Sequence, residues 1–318
     1  MKILIVKTSS LGDVVHNLPM ISDLHAHMPE AQIDWLVESA FADIPALHPA
    51  IRTVIPINLR RWLRAPGQAE TWRALGALRK RLRGETYDVI LDSQGLIKSA
   101  IISHLARGPI YGPDARSARE PLAALFYQRG LPMRRGQHAV WRNRALGAEA
   151  FGYTLPRTPP TYGLRTASGD PPSDKPTCVA FHATSRASKL WPTTHWIDLG
   201  KALVDRGIHM LFPSGSESEH ETAQAIAQAI GTNASALARM GIRDLAQVIS
   251  RAQFTIGVDT GLVHLAAALK RPTVGVFCDS DPALTGVLAE NHVINLGGFH
   301  ERPSVEAVLT ALQGMGAI

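Results

Sequence analysis

The sequence predicts an α/β protein made of two doubly wound, Rossmann-like domains that face each other across a cleft. Short apolar runs alternate with segments of helical periodicity in both halves of the chain, a pattern typical of parallel sheets covered by helices. A proline-rich segment interrupts the alternation, since six of the 21 prolines lie in residues 156–176. The length of 318 residues suits two domains of about 150 residues each. We therefore expect a first domain over 1–155, a linker over 156–176 and a second domain over 177–318.

The first domain alternates strands and helices from its start. Ile3 to Val6 are four consecutive apolar residues, which is typical of a parallel strand buried on both faces. The predicted strands are residues 3–6, 32–37, 53–57 and 88–92, and the predicted helices are 14–27, 72–82, 96–106 and 138–151, with a further helical stretch opened by Arg119-Glu120-Pro121.

The alternation restarts after the proline-rich segment. The predicted strands are residues 178–182, 208–212, 254–258 and 273–277, with a short extended piece at 237–240. The predicted helices begin near 193 and after the polar turn 213–219, and then cover 242–251, 262–269 and 304–312. The last helix is also a candidate for packing back on the first domain.

Composition excludes several classes of protein. Cys178 and Cys278 lie in apolar stretches, which favours reduced core thiols over a disulfide. No CxxC or HExxH motif occurs, and we expect no metal site. The apolar run before Lys7 is too short for a signal peptide, and no run reaches the roughly 18 apolar residues of a membrane span. A cytoplasmic protein is expected.

Only the first half of the chain is basic. The first 150 residues hold 20 Lys and Arg against 13 Asp and Glu, whereas the rest hold 13 against 14. Arg60, Arg61 and Arg64 follow the predicted strand 53–57 and precede Pro66-Gly67, so we expect them on a loop at the carboxyl end of that strand. Because the forked guanidinium suits phosphate and carboxylate, these arginines indicate an anionic substrate or surface.

A polar turn follows the first strand and leads into a helix. It contains Thr8, Ser9, Ser10 and Gly12, and it ends at Asp13. In open α/β sheets, ligands bind in the crevice beyond the carboxyl ends of the strands, which is where this turn lies. Asp13 is thus either a functional carboxylate or an ordinary N-cap that satisfies free N–H groups of the helix.

Two turns of the second half suit a phosphate group. In the first, Asp259-Thr260-Gly261 ends a strand and opens a helix, whose first N–H groups would point at an anion. His264 lies one turn along on the same face. A plain Asp cap and a core histidine would explain the same pattern.

The second turn follows the strand 178–182. It supplies the hydroxyls of Thr184 and Ser185 together with Lys189, although a lysine in such a loop is often simply solvated. Two such turns in one domain favour a diphosphate site. Glu219, in a third loop, is a candidate acceptor for ribose hydroxyls, or else a helix-start acid that complements the helix dipole.

Five motifs, in order along nearly the whole chain, resemble those of the bacterial lipopolysaccharide heptosyltransferases, which use ADP-heptose. They are KTSSLGDVVHNLP at 7–19, DSQGLIKSA at 92–100, AREPLA at 118–123, HATSRASKLWP at 182–192 and VDTGLVHLAAAL at 258–269. The first two are most similar to the branch that adds the first heptose of the inner core. The resemblance implies the glycosyltransferase-B architecture, with the acceptor bound by the first domain, ADP-heptose bound by the second, and no obligatory metal or cofactor.

The resemblance also implies roles for individual residues. Asp13 is similar to the catalytic base of the family. The implied donor-binding residues are Thr184, Ser185, Lys189, Glu219, Met240, Asp259, Thr260, Gly261 and His264, and the implied acceptor-binding residues are Ser10, Gly12, Arg60, Arg61, Arg64 and Arg119. Two positions depart from the family pattern: Ser185 replaces a threonine, and residues 277–282 (FCDSDP) replace a YGPTDP-like turn.

The implied reaction transfers heptose with inversion from ADP-heptose to a Kdo sugar of Kdo2-lipid A. Because that acceptor is a membrane lipid, we expect transient contact with the inner leaflet of the inner membrane and peripheral association with its cytoplasmic face. One alternative is heptosyltransferase II, with a different acceptor. A Rossmann dehydrogenase would need GxGxxG where this chain has KTSSLGD. A nucleic-acid binder is disfavoured because only 6% of residues are aromatic and no stacking-rich module is present.

Overall fold

The computed structural model describes residues 1–165, 176–290 and 292–318. Within them the chain divides into two compact units, Met1–Thr158 and Pro159–Ile318. The division falls inside the segment predicted as a linker. About half of that segment, residues 166–175, lies outside the described residues.

The first unit, all of whose residues are described, is a parallel six-stranded sheet with helices. Its strands are β1 (Lys2–Val6), β2 (Gln32–Glu38), β3 (Ile51–Ile57), β4 (Val89–Asp92), β5 (Ile110–Pro113) and β6 (Arg129–Leu131). Its helices are α1 (Leu11–Val15), α2 (Leu18–His27), α3 (Asp43–Ala46), α4 (Leu59–Arg64), α5 (Ala69–Leu82), α6 (Ile97–Ser103) and α7 (Ala139–Phe151), with 3₁₀ turns at Ser39–Phe41 and Pro121–Phe126. The strand order β3-β2-β1-β4-β5-β6 is that of a doubly wound sheet.

The second unit repeats this topology in its described residues. Its strands are β7 (Thr177–Phe181), β8 (His209–Phe212), β9 (Ala234–Ala236), β10 (Phe254–Val258), β11 (Thr273–Phe277) and β12 (Val293–Gly297), in the order β12-β11-β10-β7-β8-β9. Its helices are α8 (Thr193–Val204), α9 (Glu217–Ile230), α10 (Ile242–Arg251), α11 (Gly261–Ala268), α12 (Pro282–Thr285) and α13 (Val305–Gly314), with a 3₁₀ turn at Ala187–Lys189. The prediction of two doubly wound α/β domains is confirmed.

The central strands explain where each site forms. Ile3 to Val6 of β1 are fully buried, because helices cover both faces of the sheet. Val6 pairs with Asp92 of the neighbouring strand β4, so the turns that follow these two strands lie side by side. In the second unit, Gly257 of β10 pairs with Phe181 of β7 and brings together the turns that begin near 182 and 259.

Several elements differ from the sequence-based expectation. Arg60, Arg61 and Arg64 were expected on a loop, but they lie on the helix α4, which ends just before Pro66. The predicted helix 14–27 is two helices, because α1 ends at Val15 and α2 begins at Leu18, with Pro19 in its first turn. The opening at 119–121 leads to a 3₁₀ turn.

The piece predicted as extended at 237–240 is not a strand; the strand β9 lies just before it, at Ala234–Ala236, on an edge of its sheet. Three more short strands had no counterpart in the prediction. They are β5, β6 and β12, and they lie at or near a sheet edge, where few residues need be apolar. The C-terminal helix α13 buries its apolar face in the second unit itself, since Val308 and Leu312 belong to the core under α8 and β11. The two cysteines are free and buried, as expected.

Candidate functional site

Asp13 lies in the first turn of α1, immediately beyond the central strand β1. Ser10 is the N-cap residue of this helix, so Asp13 is not the cap itself. The Asp13 Oδ2 accepts hydrogen bonds from the Ser10 backbone N at 3.0 Å and from the Ser10 Oγ at 3.2 Å. One oxygen of the carboxylate is therefore engaged in holding the turn, while 20% of the side chain stays accessible.

Two cations flank this carboxylate. The Arg119 guanidinium lies 3.3 Å from Oδ2 and 3.4 Å from Oδ1 of Asp13, and the ammonium of the buried Lys7 adds a second positive charge. Burial alone would raise the pKa of Asp13, but Lys7, Arg119 and the hydrogen bonds from Ser10 outweigh burial and lower it. Asp13 is therefore ionised at neutral pH and able to accept a proton.

Lys7 is itself strongly perturbed. Its Nζ donates a hydrogen bond to the Ser93 carbonyl oxygen at 2.8 Å. Burial lowers the pKa of Lys7 to about 8, although the charges of Asp13 and Asp92 oppose this shift. Lys7 has no role in the sequence-based prediction. Its place at the end of a buried strand, where a lysine is seldom found, was the available signal.

A neighbouring turn, residues 92–95, supports the backbone before Asp13. The Gln94 Oε1 accepts hydrogen bonds from the N–H groups of Thr8 and Ser9, each at 3.2 Å. Gln94 is itself fixed by the fully buried Asp92, which accepts from the Gln94 backbone N at 2.8 Å. Burial raises the pKa of Asp92. The DSQG segment was recognised only as part of a motif, and the structure gives it a positioning role.

The three arginines of α4 lie together, apart from Arg119. They line a pocket of about 470 Å³ with Glu38, Asn58, Ala65 and Gln68. Arg61 also pairs with Glu70 at 3.1 Å, but both side chains are exposed and the pair adds little stability. The structure thus separates the predicted acceptor-binding residues into a pocket on α4 and the group around Asp13, which includes Ser10, Gly12 and Arg119.

In the second unit, Asp259 organises the turn between β10 and α11. Its carboxylate accepts from the Lys189 ammonium and, at 2.6 Å, from the Ser280 hydroxyl, and it lies 4.0 Å from the His264 Nε2. Burial would raise the pKa of Asp259, but these three neighbours lower it well below its usual range. The backbone carbonyl of Asp259 accepts from the Thr184 Oγ1 at 2.8 Å.

These contacts bring the two predicted phosphate turns together. Lys189 is paired rather than simply solvated, and the ion pair fixes its ammonium beside Thr260 and Gly261, the N-cap and first residue of α11. An ammonium has three N–H donors, so donors remain for an anion at the helix start. Ser280, whose segment had no assigned role, fixes Asp259.

Glu219 and Thr184 line another pocket of the second unit. Its volume is about 520 Å³, and aromatic side chains such as Trp191 and Trp196 form part of its wall. The Glu219 carboxylate accepts a hydrogen bond from the Gly215 N at 2.7 Å, so it also stabilises the turn before α9.

Two predicted donor-binding residues stand apart from these contacts. Met240 is exposed, precedes α10 and is not among the residues that line this pocket. Ser185 is exposed in the turn after β7.

The described residues contain neither a helix that could span a membrane nor a cluster of metal ligands. None of their helices is both long and apolar enough to cross a membrane. Within the same residues, no group of three or more His, Cys, Asp and Glu side chains is arranged to hold a metal ion.

Comparison with known proteins gives consistent results. The model of the family described as "Glycosyltransferase family 9 (heptosyltransferase)" matches residues 75–312. Lipopolysaccharide heptosyltransferase 1 of Pseudomonas aeruginosa PAO1 is 42% identical over 298 residues, which are 92% of this chain and 83% of that protein.

Two solved structures of Escherichia coli heptosyltransferase WaaC are also similar, one with ADP and one with ADP-2-deoxy-2-fluoro heptose. Each is 38% identical and covers 99% of this chain. The match covers 100% of the ADP-bound chain and 99% of the other, with TM-scores of 0.93 and 0.87.

Proposed function

Because the chain belongs to glycosyltransferase family 9, the heptosyltransferases, we propose that it moves L-glycero-D-manno-heptose from ADP-heptose to a Kdo residue of Kdo2-lipid A. Membership makes the chain a glycosyltransferase of lipopolysaccharide core synthesis. The acceptor and the roles of individual residues are the proposal. The observation that carries it is the accessible, ionised Asp13 carboxylate between Lys7 and Arg119 at the end of the central strand.

In the proposed reaction, a hydroxyl oxygen of the acceptor Kdo attacks the anomeric carbon of the heptose. The bond between that carbon and the β-phosphate oxygen breaks, ADP leaves with the bonding electrons, and the configuration inverts. A sugar hydroxyl is a poor nucleophile at neutral pH, so a positioned base helps by taking its proton as the new bond forms. Asp13 is that base, and such a group contributes typically about 10²–10⁴-fold to the rate.

The donor is bound by the turns of the second unit. The diphosphate lies at the first N–H groups of α11, where Lys189 and the hydroxyls of Ser185 and Thr260 stabilise the charge that develops on ADP. The Thr184 hydroxyl donates to the Asp259 carbonyl and holds the two turns together. Asp259 holds Lys189 in place, and His264 lies 4.0 Å from the Asp259 carboxylate. In the same proposal, Glu219 binds the ribose hydroxyls and Met240 contacts the adenine. No metal ion takes part in the transfer.

The acceptor is bound by the basic residues of the first unit. Kdo2-lipid A carries phosphates and carboxylates, which suit the guanidinium groups of Arg60, Arg61 and Arg64 in their pocket and that of Arg119 beside Asp13. Because this acceptor is anchored in the inner leaflet, the protein works at the cytoplasmic face of the inner membrane without spanning it. Nucleic acid is not a partner.

The test is incubation with ADP-heptose and heptose-free Kdo2-lipid A, followed by measurement of ADP release and of the heptosylated lipid by mass spectrometry. A second acceptor, already carrying one heptose, distinguishes the reaction from that of heptosyltransferase II. Product only with the second acceptor would overturn the proposed acceptor.

The role of Asp13 is tested with Asp13→Asn. We expect turnover to fall by about two orders of magnitude or more, while ADP-heptose affinity stays near that of the wild type. Asp43→Asn is the matched control, since Asp43 also lies in the first turn of a helix of the same unit. Near-normal turnover by Asp13→Asn would leave this carboxylate with a structural role only.

A further inference from the structure

The 3₁₀ turn Pro121–Phe126 presents large apolar side chains to solvent. Leu125 is 81% exposed and Leu122 is 61% exposed. In a 3₁₀ helix, residues three apart eclipse each other, so both leucines lie on one face. A single exposed leucine is ordinary, but two on one short turn form an apolar patch that needs an explanation.

The neighbouring helix α6 extends this patch. At the start of α6, the Ile97 N donates to the Glu120 Oε2 at 2.7 Å, just before the 3₁₀ turn. At the end of α6, the His104 Nε2 donates to the carbonyl of Phe126, the last residue of the turn, at 3.0 Å. The helix and the 3₁₀ turn therefore run side by side. Ile101, 52% exposed, lies between these two contacts and on the same helix face as His104. We call Ile101, Leu122 and Leu125 the apolar ridge.

Arginines flank one end of the apolar ridge. Arg116 and Arg119 lie in the segment just before the 3₁₀ turn. The segment that carries Arg134 and Arg135 is hydrogen-bonded to this segment. Two hydrogen bonds join the segments: the Met133 N donates to the Ser117 Oγ at 2.9 Å, and the Arg135 Nη2 donates to the Ala118 carbonyl at 2.8 Å. All four arginines are exposed. We call Arg116, Arg119, Arg134 and Arg135 the basic border.

We propose that the apolar ridge and the basic border together dock this protein on an anionic lipid bilayer. The ridge enters the boundary between headgroups and acyl chains, and the basic border binds lipid phosphates. The proposal rests on the proposed function, in which the acceptor is a membrane lipid, and it names the residues that reach the membrane. The charge of this region favours an anionic bilayer as the partner, since residues 95–136 carry seven Lys and Arg against two Asp and Glu.

A second copy of this chain would fit the same surface poorly. It would place one basic border against another across a two-fold interface, and like charges in that position oppose association. The bilayer also fits the reaction, because Arg119 belongs to the basic border and contacts Asp13 at 3.3 Å. Docking on this face therefore brings the proposed base to the level of the lipid headgroups, where an amphiphilic acceptor presents its sugar.

The test measures vesicle binding and transfer separately. Wild type and the double variant Leu122→Gln/Leu125→Gln are sedimented with vesicles of phosphatidylethanolamine and phosphatidylglycerol (3:1) and with phosphatidylcholine vesicles. Transfer is then measured with Kdo2-lipid A in the same anionic vesicles and with a deacylated, water-soluble acceptor. The controls are Phe299→Gln and Trp72→Gln, which remove exposed aromatic side chains elsewhere on the surface.

We expect the double variant to bind anionic vesicles about tenfold more weakly or worse, since each leucine withdrawn from the interface costs several-fold in partition. Its kcat/KM should fall to a similar extent with the vesicle acceptor and stay within about twofold with the soluble one. The controls should bind anionic vesicles as the wild type does, and phosphatidylcholine should bind all proteins weakly, because the basic border has no anion there.

Three results would overturn the proposal: unchanged vesicle binding by the double variant, loss of binding in Trp72→Gln instead, or a wild-type dimer that the double variant abolishes. Failure of the proposed function looks different, because the wild type would then transfer no heptose even to the soluble acceptor. Vesicle binding would be measurable in either case.

Discussion

Lys7→Met is expected to make the first unit more stable at pH 7 while impairing the site beside it. The lysine is buried at the end of β1, and burial lowers its pKa from 10.5 to about 8. The unfolded chain therefore holds this proton more tightly than the folded chain does. Between pH 8 and about 10.5 the unfolded state binds more protons, so the stability of the wild type should rise with pH across this window.

The size of the expected change in unfolding free energy follows from the shift in the pKa of Lys7. A lowering from 10.5 to about 8 corresponds to roughly 3 kcal/mol by which the folded state disfavours the ammonium at neutral pH. Methionine has a similar shape and no charge, so it removes this penalty. It also removes the hydrogen bond from the Lys7 Nζ to the Ser93 carbonyl, which costs about 1 kcal/mol. The expected net gain at pH 7 is about 2 kcal/mol. It should fall to zero at about pH 10 and leave the variant slightly less stable than the wild type at higher pH, because the lost hydrogen bond then remains.

The measurement is hydrogen exchange of the β1 peptide across a urea series, at pH 7 and again near pH 10, because it reports on the first unit alone. Lys80→Met, at an exposed position of α5, is the matched control and should change stability by less than about 0.5 kcal/mol. A Lys7→Met variant less stable than the wild type at pH 7 would refute this account, as would wild-type stability that falls between pH 8 and pH 10.

Two further predictions concern the turns of the site. Lys189→Ala should weaken ADP-heptose binding by about tenfold or more, because it removes the ammonium that Asp259 holds beside α11; unchanged affinity by calorimetry would contradict the phosphate assignment. Gln94→Leu should lower kcat with little change in donor affinity, because the N–H groups of Thr8 and Ser9 lose their acceptor and the turn before Asp13 loosens; a normal kcat would remove Gln94 from the positioning network.

Local sequence was sufficient where a residue's role follows from its own element. The strand β1 and the turn that carries Asp13 follow from four apolar residues and a polar, glycine-containing break. The helix that carries Arg60 to Arg64 could not be predicted in this way. Pro66-Gly67 suggested a loop, and the six residues of α4 are too few to show a clear helical periodicity of apolar residues. Likewise, nothing local to Lys189 shows that its ammonium meets a carboxylate 70 residues away.

The comparison of Asp13 with Asp259 explains why the first, and not the second, is proposed as the base. Each lies beyond the carboxyl end of a central strand with a cation beside it. Asp259 is 10% exposed; the Lys189 ammonium and the Ser280 hydroxyl both donate to its Oδ2, and the His264 ring lies 4.0 Å from its Oδ1.

Asp13 is twice as exposed, at 20%, and its contacts with Arg119, at 3.3 and 3.4 Å, are long for a charged pair. A proton acceptor needs a free lone pair and a partner that can yield. Asp259 is the more buried of the two, and its contacts hold Lys189 in place, whereas Asp13 frees Oδ1 as soon as Arg119 turns to an anionic group of the acceptor.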